Sequence, residues 1–402
     1  MTEKRKSPAL RFRGYTDDWE QRKLSHFLDV SSEKNTDNLY TKDDVLSVSG
    51  DFGVINQIEF QGRSFAGASV SNYGVVHTGD VVYTKSPLKA NPYGIIKANK
   101  GKTGIVSVLY GVYHTRENAN ADFIQMYFEQ DTRLNNYLRP LVNKGAKNTL
   151  LISDTDALEG EVCLAPTFDE QKTIGQFFDT LDNLITLHQR KLEKLKLVKK
   201  SMLEKMFPKN GSSVPEIRFN GFTDDWEQRK FNDIATRESA VRKSSPDCPS
   251  IEYEDVVAEA GILNKDIRLK DSEKNGIIFD GSQVLYGKLR PYLHNWHNPD
   301  FEGVAVGDWW VLKPIHVDKS FLYRLIQTQK FDDIANQSSG SKMPRADWNL
   351  VSNSEFSIPP LIDEQVRIGT YFNDLDNLIT LHQRKVEKLQ IMKKSMLEKM
   401  FV

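Results

Sequence analysis

Residues 181–207 read LDNLITLHQRKLEKLKLVKKSMLEKMF, and residues 375–401 read LDNLITLHQRKVEKLQIMKKSMLEKMF. Of the 27 aligned positions, 23 are identical. In both copies apolar residues recur at steps of three and four, with no glycine or proline, which is the pattern of a helix with one apolar stripe. The repeat therefore predicts two long helices of about 30 residues and about 45 Å. Their matching stripes can pair as a parallel or antiparallel coiled coil.

The stripe supplies the residues that we expect to pair the two helices. They are Leu181, Ile185, Leu192, Leu195 and Met202 in the first copy and Leu375, Ile379, Val386, Leu389 and Met396 in the second. Eight lysines and arginines lie between positions 190 and 209, opposed by Glu193 and Glu204. A solvated helix face is the simplest interpretation of this charge.

A second pair of repeats surrounds two stretches of unlike sequence, which we call the interiors. Residues 16–23 and 223–230 both read TDDWEQRK, and a Pro-x-x-Asp-Glu-Gln motif precedes each long helix at 166–171 and 360–365. The Thr-Asp-Asp sequence predicts a helix N-cap before Trp-Glu. The opening motifs are 207 residues apart and the long segments 194, so the two interiors differ in length. We call the repeated motifs and long helices the frame. Identical frames indicate one partner or one structural role used twice, and unlike interiors indicate two different targets.

The interiors have the patterns of a mixed α/β fold. Alternating or apolar runs between turn residues predict strands at 80–83, 94–96, 105–109, 276–279, 283–286 and 309–312. Helices are expected at 121–138 and 320–335. We therefore predict a pseudo-two-fold internal repeat with two globular domains, 1–165 and 209–359, and two helical spacers, 166–208 and 360–402. The KNGSS sequence at 209–213 has the composition of a linker.

The composition indicates a soluble, folded protein. Of the 402 residues, 39% are hydrophobic and 27% are charged. The sequence contains no apolar run long enough for a membrane span and no signal peptide pattern. Cys163 and Cys248 are far apart, which argues against a disulfide framework and fits a reducing cytoplasm. A net charge of −1 argues neither for nor against nucleic acid.

Motifs for catalysis are incomplete. The KGKTG sequence at 100–104 would need glycine at position 96 to be a phosphate-binding loop, and that residue is Ile96. The NPYG sequence at 91–94 lacks the second proline of an amino-methyltransferase box. His294 and His297 have the spacing of metal ligands but no further ligand cluster, so no metal site is expected. These patterns favour a binding or scaffold protein over an enzyme.

Polar and basic residues near turns of the interiors are the candidates for DNA contact. Lysine, arginine, asparagine and tyrosine in loops can bind phosphates and base edges, although ordinary solvation explains many of them. Lys147 and Lys342 hold similar places, in Gly-Ala-Lys and Gly-Ser-Lys sequences before the closing motif. The full set is Lys85, Lys97, Lys100, Lys102, Lys144, Lys147, Asn148, Lys288, Arg290, Tyr292, Lys342 and Arg345.

The order of opening motif, unlike interior, closing motif and long helix, given twice, resembles the specificity subunit of Type I restriction-modification systems. The resemblance covers essentially the whole chain. It implies two target-recognition domains, each reading one half of an asymmetric bipartite sequence in double-stranded DNA. It implies a coiled-coil spacer that docks two methyltransferase subunits.

The resemblance also assigns the chemistry to other subunits. The methyltransferase subunits would carry S-adenosylmethionine and methylate adenine. Restriction subunits would add ATP-driven translocation and Mg-dependent cleavage, and this chain would hold no cofactor. Two other classes of function stay open at this point. One is a coiled-coil adaptor without a DNA role, and the other is an enzyme that acts on nucleic acid by itself.

Overall fold

The computed structural model describes residues 7–145, 150–209, 211–270, 273–337 and 343–402. The chain forms two compact units. Unit 1 contains Met1–Leu187 and Lys385–Val402, and unit 2 contains His188–Arg384. Each unit is a mixed α/β structure that includes a part of both long helices, which confirms the predicted fold class.

The first half of the chain contains twelve strands and four helices within the described residues. In chain order they are β1 Glu20–Lys23, β2 Leu28–Val30, β3 Leu46–Ser49, β4 Gly53–Asn56, α1 Gln57–Gln61, β5 Gly74–Val76, β6 Val81–Thr84, β7 Ile95–Ala98, β8 Gly104–Val106, β9 Tyr110–Thr115, α2 Ala121–Tyr127, α3 Asp131–Leu138, β10 Asn143–Lys144, β11 Leu150–Leu151, β12 Glu161–Leu164 and α4 Phe168–Lys205.

Unit 1 is built around an antiparallel sheet in the order β2-β9-β6-β7. Helix α2 packs on its β6–β7 edge and buries Phe123 and Ile124 completely. The opening strand β1 pairs antiparallel with β12, so that the two ends of the interior meet. Trp19, Phe123 and Phe178 share one apolar core with Phe401.

The second half of the chain contains twelve strands and four helices within the described residues. They are β13 Glu227–Lys230, β14 Ala235–Arg237, β15 Val241–Lys243, β16 Ser250–Ile251, β17 Val256–Val257, β18 Ile262–Leu263, β19 Asn275–Phe279, β20 Val284–Gly287, β21 Trp296–His297, β22 Gly303–Ala305, β23 Trp309–Pro314, α5 Lys319–Leu325, α6 Gln329–Ala335, α7 Trp348–Asn353, β24 Glu355–Ile358 and α8 Ile362–Met400.

Unit 2 repeats the central sheet of unit 1 and adds a different second sheet. The order β14-β23-β20-β21 corresponds to β2-β9-β6-β7, and β13 pairs with β24 as β1 does with β12. The added sheet has the order β15-β19-β22-β16, in which β16 and β22 are parallel. Trp226, Phe231 and Phe321 form the core of unit 2 with Phe207.

Three expectations about secondary structure were wrong. The residues after Thr-Asp-Asp form the strands β1 and β13 instead of a helix, because their backbone pairs with the strand before each closing motif. The helices expected at 121–138 and 320–335 are each divided in two. In unit 2 the hydroxyl of Thr328 explains the break, since it donates to Leu325 O and accepts from the N–H of Phe331.

Within each unit the segments of α4 and α8 are antiparallel. In unit 1, Phe178 lies against Phe401 while Asp182 further along pairs with Lys393. In unit 2, His188 lies against His382 and Lys199 further along pairs with Asp376. The sequence predicts each long helix as a separate spacer segment. In the structure, one part of each long helix belongs to unit 1 and the other part belongs to unit 2. The reason is that apolar residues of each helix part belong to the core of its unit.

Neither α4 nor α8, nor any other described helix, combines the length and the hydropathy that crossing a membrane would require.

Candidate nucleic-acid interface

A buried glutamate joins the opening motif to the long helix in each unit. Glu170 accepts from Arg11 Nε and Nη2 at 2.6 and 2.8 Å and from Trp19 Nε1 at 3.3 Å. In unit 2, Glu364 accepts from the same atoms of Arg218 and Trp226 at 2.7, 2.8 and 3.3 Å. Both glutamate side chains are 1% exposed. The repeated Arg-Phe, Asp-Trp and Asp-Glu motifs therefore form one junction, used twice.

The glutamine that follows this glutamate holds the start of a neighbouring helix. Gln171 donates to the carbonyl of Ala165 and accepts from the N–H of Asn120, the residue that caps α2. Gln365 does the same with Pro359 and with Asp318, the cap of α5. The closing motif thus binds the opening motif through its glutamate and the interior through its glutamine.

The far end of a long helix completes each junction. In unit 1 the N–H of Leu10 donates to Lys399 O at 2.9 Å, and the ring of Phe401 lies 5.9 Å from that of Trp19. In unit 2 the N–H of Ile217 donates to Lys205 O at 2.9 Å, and the ring of Phe207 lies 5.9 Å from that of Trp226. The repeated Lys-Met-Phe sequence is therefore part of the core of each unit.

The ten predicted pairing residues are all buried or half-buried. Leu181, Ile185 and Leu389 belong to the core of unit 1, and Leu375 belongs to that of unit 2. By contrast, Leu187 and Leu381 are both 59% exposed at equivalent positions of the repeat. Only some of the apolar residues of each long helix therefore face inward.

A lysine–aspartate pair links the two long helices in each unit. Lys393 lies 2.7 Å from Asp182 in unit 1, and Lys199 lies 2.7 Å from Asp376 in unit 2. Burial alone would lower the pKa of Lys393, but Glu129 and Asp182 outweigh it and raise the pKa. Burial lowers the pKa of Lys199, and Asp376 offsets this only in part. These pairs recur at repeat-equivalent positions and fix the register of the helix segments in each unit.

Two of the candidate lysines of unit 1 serve its internal structure. Lys97 is 7% exposed and its ammonium lies 2.6 Å from Glu129. Lys100 is held by two carboxylates, Asp122 at 3.3 Å and Asp179. An ammonium that is already paired and partly desolvated is a poor partner for a phosphate. We therefore leave both residues out of the proposed interface.

The other described candidates of unit 1 differ in exposure. The Lys85 side chain follows β6, is 16% exposed and pairs with Asp154 at 2.8 Å, so Lys85 is left out of the proposed interface for the same reason. Lys102 is exposed. The Lys144 ammonium lies 5.0 Å from the centre of the Tyr93 ring. Lys147 and Asn148 lie outside the described residues, as does Lys342 of the second half.

The structure brings the described candidates of unit 2 together. Lys288, Arg290 and Tyr292 follow β20, and Leu289 forms an isolated bridge with Arg345. Arg290 has a φ of 49°, which is uncommon for a residue with a side chain and occurs often at functional sites. Tyr292 is 52% exposed.

Sequence reasoning missed Asp308, which faces two of these candidates. Its carboxylate lies 3.6 Å from Lys288 Nζ and forms two hydrogen bonds with Arg345. The hydrogen bond from Arg345 and its charge hold the pKa of Asp308 below its ordinary value. Asp308 lies between β22 and β23, 37 residues from Arg345, so no local pattern in the sequence relates the two.

Among the residues that the structure describes, no three or more histidine, cysteine, aspartate or glutamate side chains are grouped to hold a metal ion. His297 donates through Nδ1 to Gly261 O at 2.7 Å, and burial lowers the pKa of its imidazole. His297 is thus a buried, hydrogen-bonded residue of unit 2, which accounts for its presence without a metal.

Comparison with known proteins finds a family match in the second half of the chain. A family model described as the Type I restriction modification DNA specificity domain matches residues 223–390. The MjaVIII Type I restriction enzyme specificity subunit of Methanocaldococcus jannaschii is 24% identical over 253 residues. That match covers 58% of this chain and 59% of the relative, so the chain spans about three fifths of the length of the relative.

A solved structure shares the fold over nearly the whole chain. The crystal structure of a Type I restriction-modification system S subunit from M. genitalium has a TM-score of 0.64 and 13% identity. The match covers 98% of this chain and 99% of that one. At this level of identity the likeness is one of fold.

The second half of the chain, residues 223–390, is thus similar to the Type I restriction modification DNA specificity domain, and the whole chain shares the fold of that S subunit.

Proposed function

We propose that this chain is the DNA sequence-recognition subunit of a Type I restriction-modification complex. The interior of each unit reads one half of a bipartite site, and because the interiors differ, the site is asymmetric. The paired helices set the gap between the two halves. The repeated frame docks two methyltransferase subunits, because the internal repeat presents the same surface twice.

The observation that carries this proposal is the combination of one junction with two interiors. The Arg-Glu-Trp junction has the same hydrogen bonds in both units, with distances that agree within 0.1 Å. The added sheet of unit 2 differs in strand order from every sheet among the described residues of unit 1. A coiled-coil adaptor would need the frame but has no use for two unlike interiors.

The proposed contact surfaces are segments of the two interiors that carry basic, asparagine and tyrosine side chains, which can bind phosphates and base edges. The contact residues that we propose are Lys102, Lys144, Lys147, Asn148, Lys288, Arg290, Tyr292, Lys342 and Arg345.

The chemistry in this proposal belongs to partner subunits. Two methyltransferase subunits carry S-adenosylmethionine and methylate adenine, and restriction subunits use ATP and Mg for translocation and cleavage. This chain is non-catalytic and works in the cytoplasm, where it meets double-stranded DNA.

Co-expression with the methyltransferase subunit of the same system, followed by mapping of methylated adenines across the host genome, tests the proposal. One bipartite motif with two unlike halves, about one helical turn apart, is the expected result. A soluble complex that neither methylates a motif nor retains DNA at low salt would instead support the adaptor. Turnover of DNA by the purified chain alone would support the enzyme.

A further inference from the structure

Arg345 is an exposed arginine that a carboxylate holds in one orientation. Its Nε and Nη2 donate to the two oxygens of Asp308 at 3.2 and 3.1 Å. The arginine side chain is 53% exposed and that of Asp308 is 27% exposed. Because Nε and one N–H of Nη2 face Asp308, the end of the guanidinium, with Nη1 and the second N–H of Nη2, points away from it.

The backbone on both sides of this pair is fixed. Asp308 O accepts from Tyr253 Oη at 2.6 Å and from the N–H of Lys288 at 2.9 Å. The Tyr253 ring stacks on that of Trp309, 4.7 Å away. On the other side, Ala346 donates to Lys288 O and Arg290 donates to Pro344 O. A surface ion pair contributes little to stability. Stability alone therefore does not explain why the backbone on both sides of this pair is held in place.

The other edge of this guanidinium has two donors that bond to no described residue. It matches the major-groove edge of guanine, which offers O6 and N7 as adjacent acceptors. Orientation by Asp308 lowers the entropy that the arginine loses on binding. We infer that Arg345 reads a guanine in the half-site bound by unit 2, with Asp308 as its positioning residue. This inference rests on the proposed function.

Unit 1 carries different chemistry at the corresponding places. Its Lys85 N–H donates to Leu109 O at 2.9 Å, as that of Lys288 does to Asp308 O, so Leu109 corresponds to Asp308. Leu151 precedes its closing motif by the same number of residues as Arg345. Leu109 and Leu151 are 52% and 56% exposed. The guanine contact is therefore assigned to unit 2, and the two half-sites differ at this place.

The complex of the full chain with its methyltransferase subunits is the material for the test. Methylation rates are measured on duplexes that carry the genomic motif and on every single-base-pair variant of it. Arg345→Lys keeps the charge but loses the two-donor edge, and Arg345→Ala removes both. Arg242→Lys is the matched control, because Arg242 is also about half exposed and pairs with Glu302 at 2.6 Å.

Both Arg345 variants are expected to lose about 5- to 150-fold in discrimination at one G·C pair, all in one half-site. Asp308→Asn relaxes the same position less, and Arg242→Lys leaves every position unchanged. Wild-type discrimination at all positions in both Arg345 variants overturns the inference, as does a half-site for unit 2 without a G·C pair. If the wild-type complex methylates no motif, the proposed function fails, and this inference fails with it.

Discussion

Arg218 and Glu364 are joined by two hydrogen bonds in which Nε and Nη2 lie 2.7 and 2.8 Å from the two carboxylate oxygens. The glutamate is buried, and the indole of Trp226 donates to it as well. The junction is therefore a point at which two distant parts of the sequence, the opening motif and the start of α8, meet at one carboxylate.

Arg218→Ala is expected to destabilise unit 2 by about 3–5 kcal/mol, because it leaves a buried carboxylate without its cation. Urea unfolding followed by tryptophan fluorescence measures this. Arg229→Ala is the control, since Arg229 pairs with Glu227 at the surface and its loss costs less than about 1 kcal/mol. Equal effects of the two variants would show that the junction is not important for stability.

Leu389→Asp should disrupt the core of unit 1, since Leu389 is 9% exposed. We expect a loss of about 3 kcal/mol or more from the cavity and the buried charge. Leu195→Asp has the same direction in unit 2 but a smaller size, because Leu195 is only partly buried. Thermal unfolding of both is compared with that of Leu187→Asp, whose position on α4 is 59% exposed and should tolerate the change. A normal melting temperature for Leu389→Asp contradicts this account.

Asp255 should make unit 2 sensitive to acid. Burial alone would raise the pKa of Asp255, but hydrogen bonds from Lys270 and Lys265 outweigh it and lower the pKa. A carboxyl with a lower pKa in the folded state stabilises the fold above its unfolded pKa of about 4, and this stability is lost as the pH falls through the folded pKa. The unfolding free energy of the wild type should thus fall more steeply below pH ~4 than that of Asp255→Asn. Parallel curves would exclude this role.

Lys147→Ala and Lys342→Ala, which follow from the sequence, should each weaken DNA binding by the complex and reduce its salt dependence by about one unit of slope. Binding measured over a salt series tests this. Lys97→Ala separates phosphate contact from folding: it should lower stability, because Glu129 loses a partner, and leave the salt slope unchanged. A slope unaltered in the first two variants removes those lysines from the contact surface.

The repeated frame could be predicted from sequence because its helix stripe is a local pattern. Strands such as β6 and β20 were recognisable for the same reason. The features that could not be predicted depend on distant partners. The EQRK part of the TDDWEQRK motif becomes a strand because it pairs with residues 125 to 144 positions away. Likewise, Asp308 has no local signal, and the part of Phe401 in the core with Trp19 depends on the antiparallel course of the helices.

The division of α8 between the units has a consequence for synthesis on the ribosome. Unit 2 is one continuous segment, whereas the first 187 residues of unit 1 need residues 385–402 to complete their core. At 5–20 residues per second, the ribosome takes on the order of 10 to 40 s to span that gap. Throughout this time the apolar surface that later receives Phe401 stays uncovered. The part of the protein that is made first is thus the last to finish folding, and it is the part most in need of a chaperone.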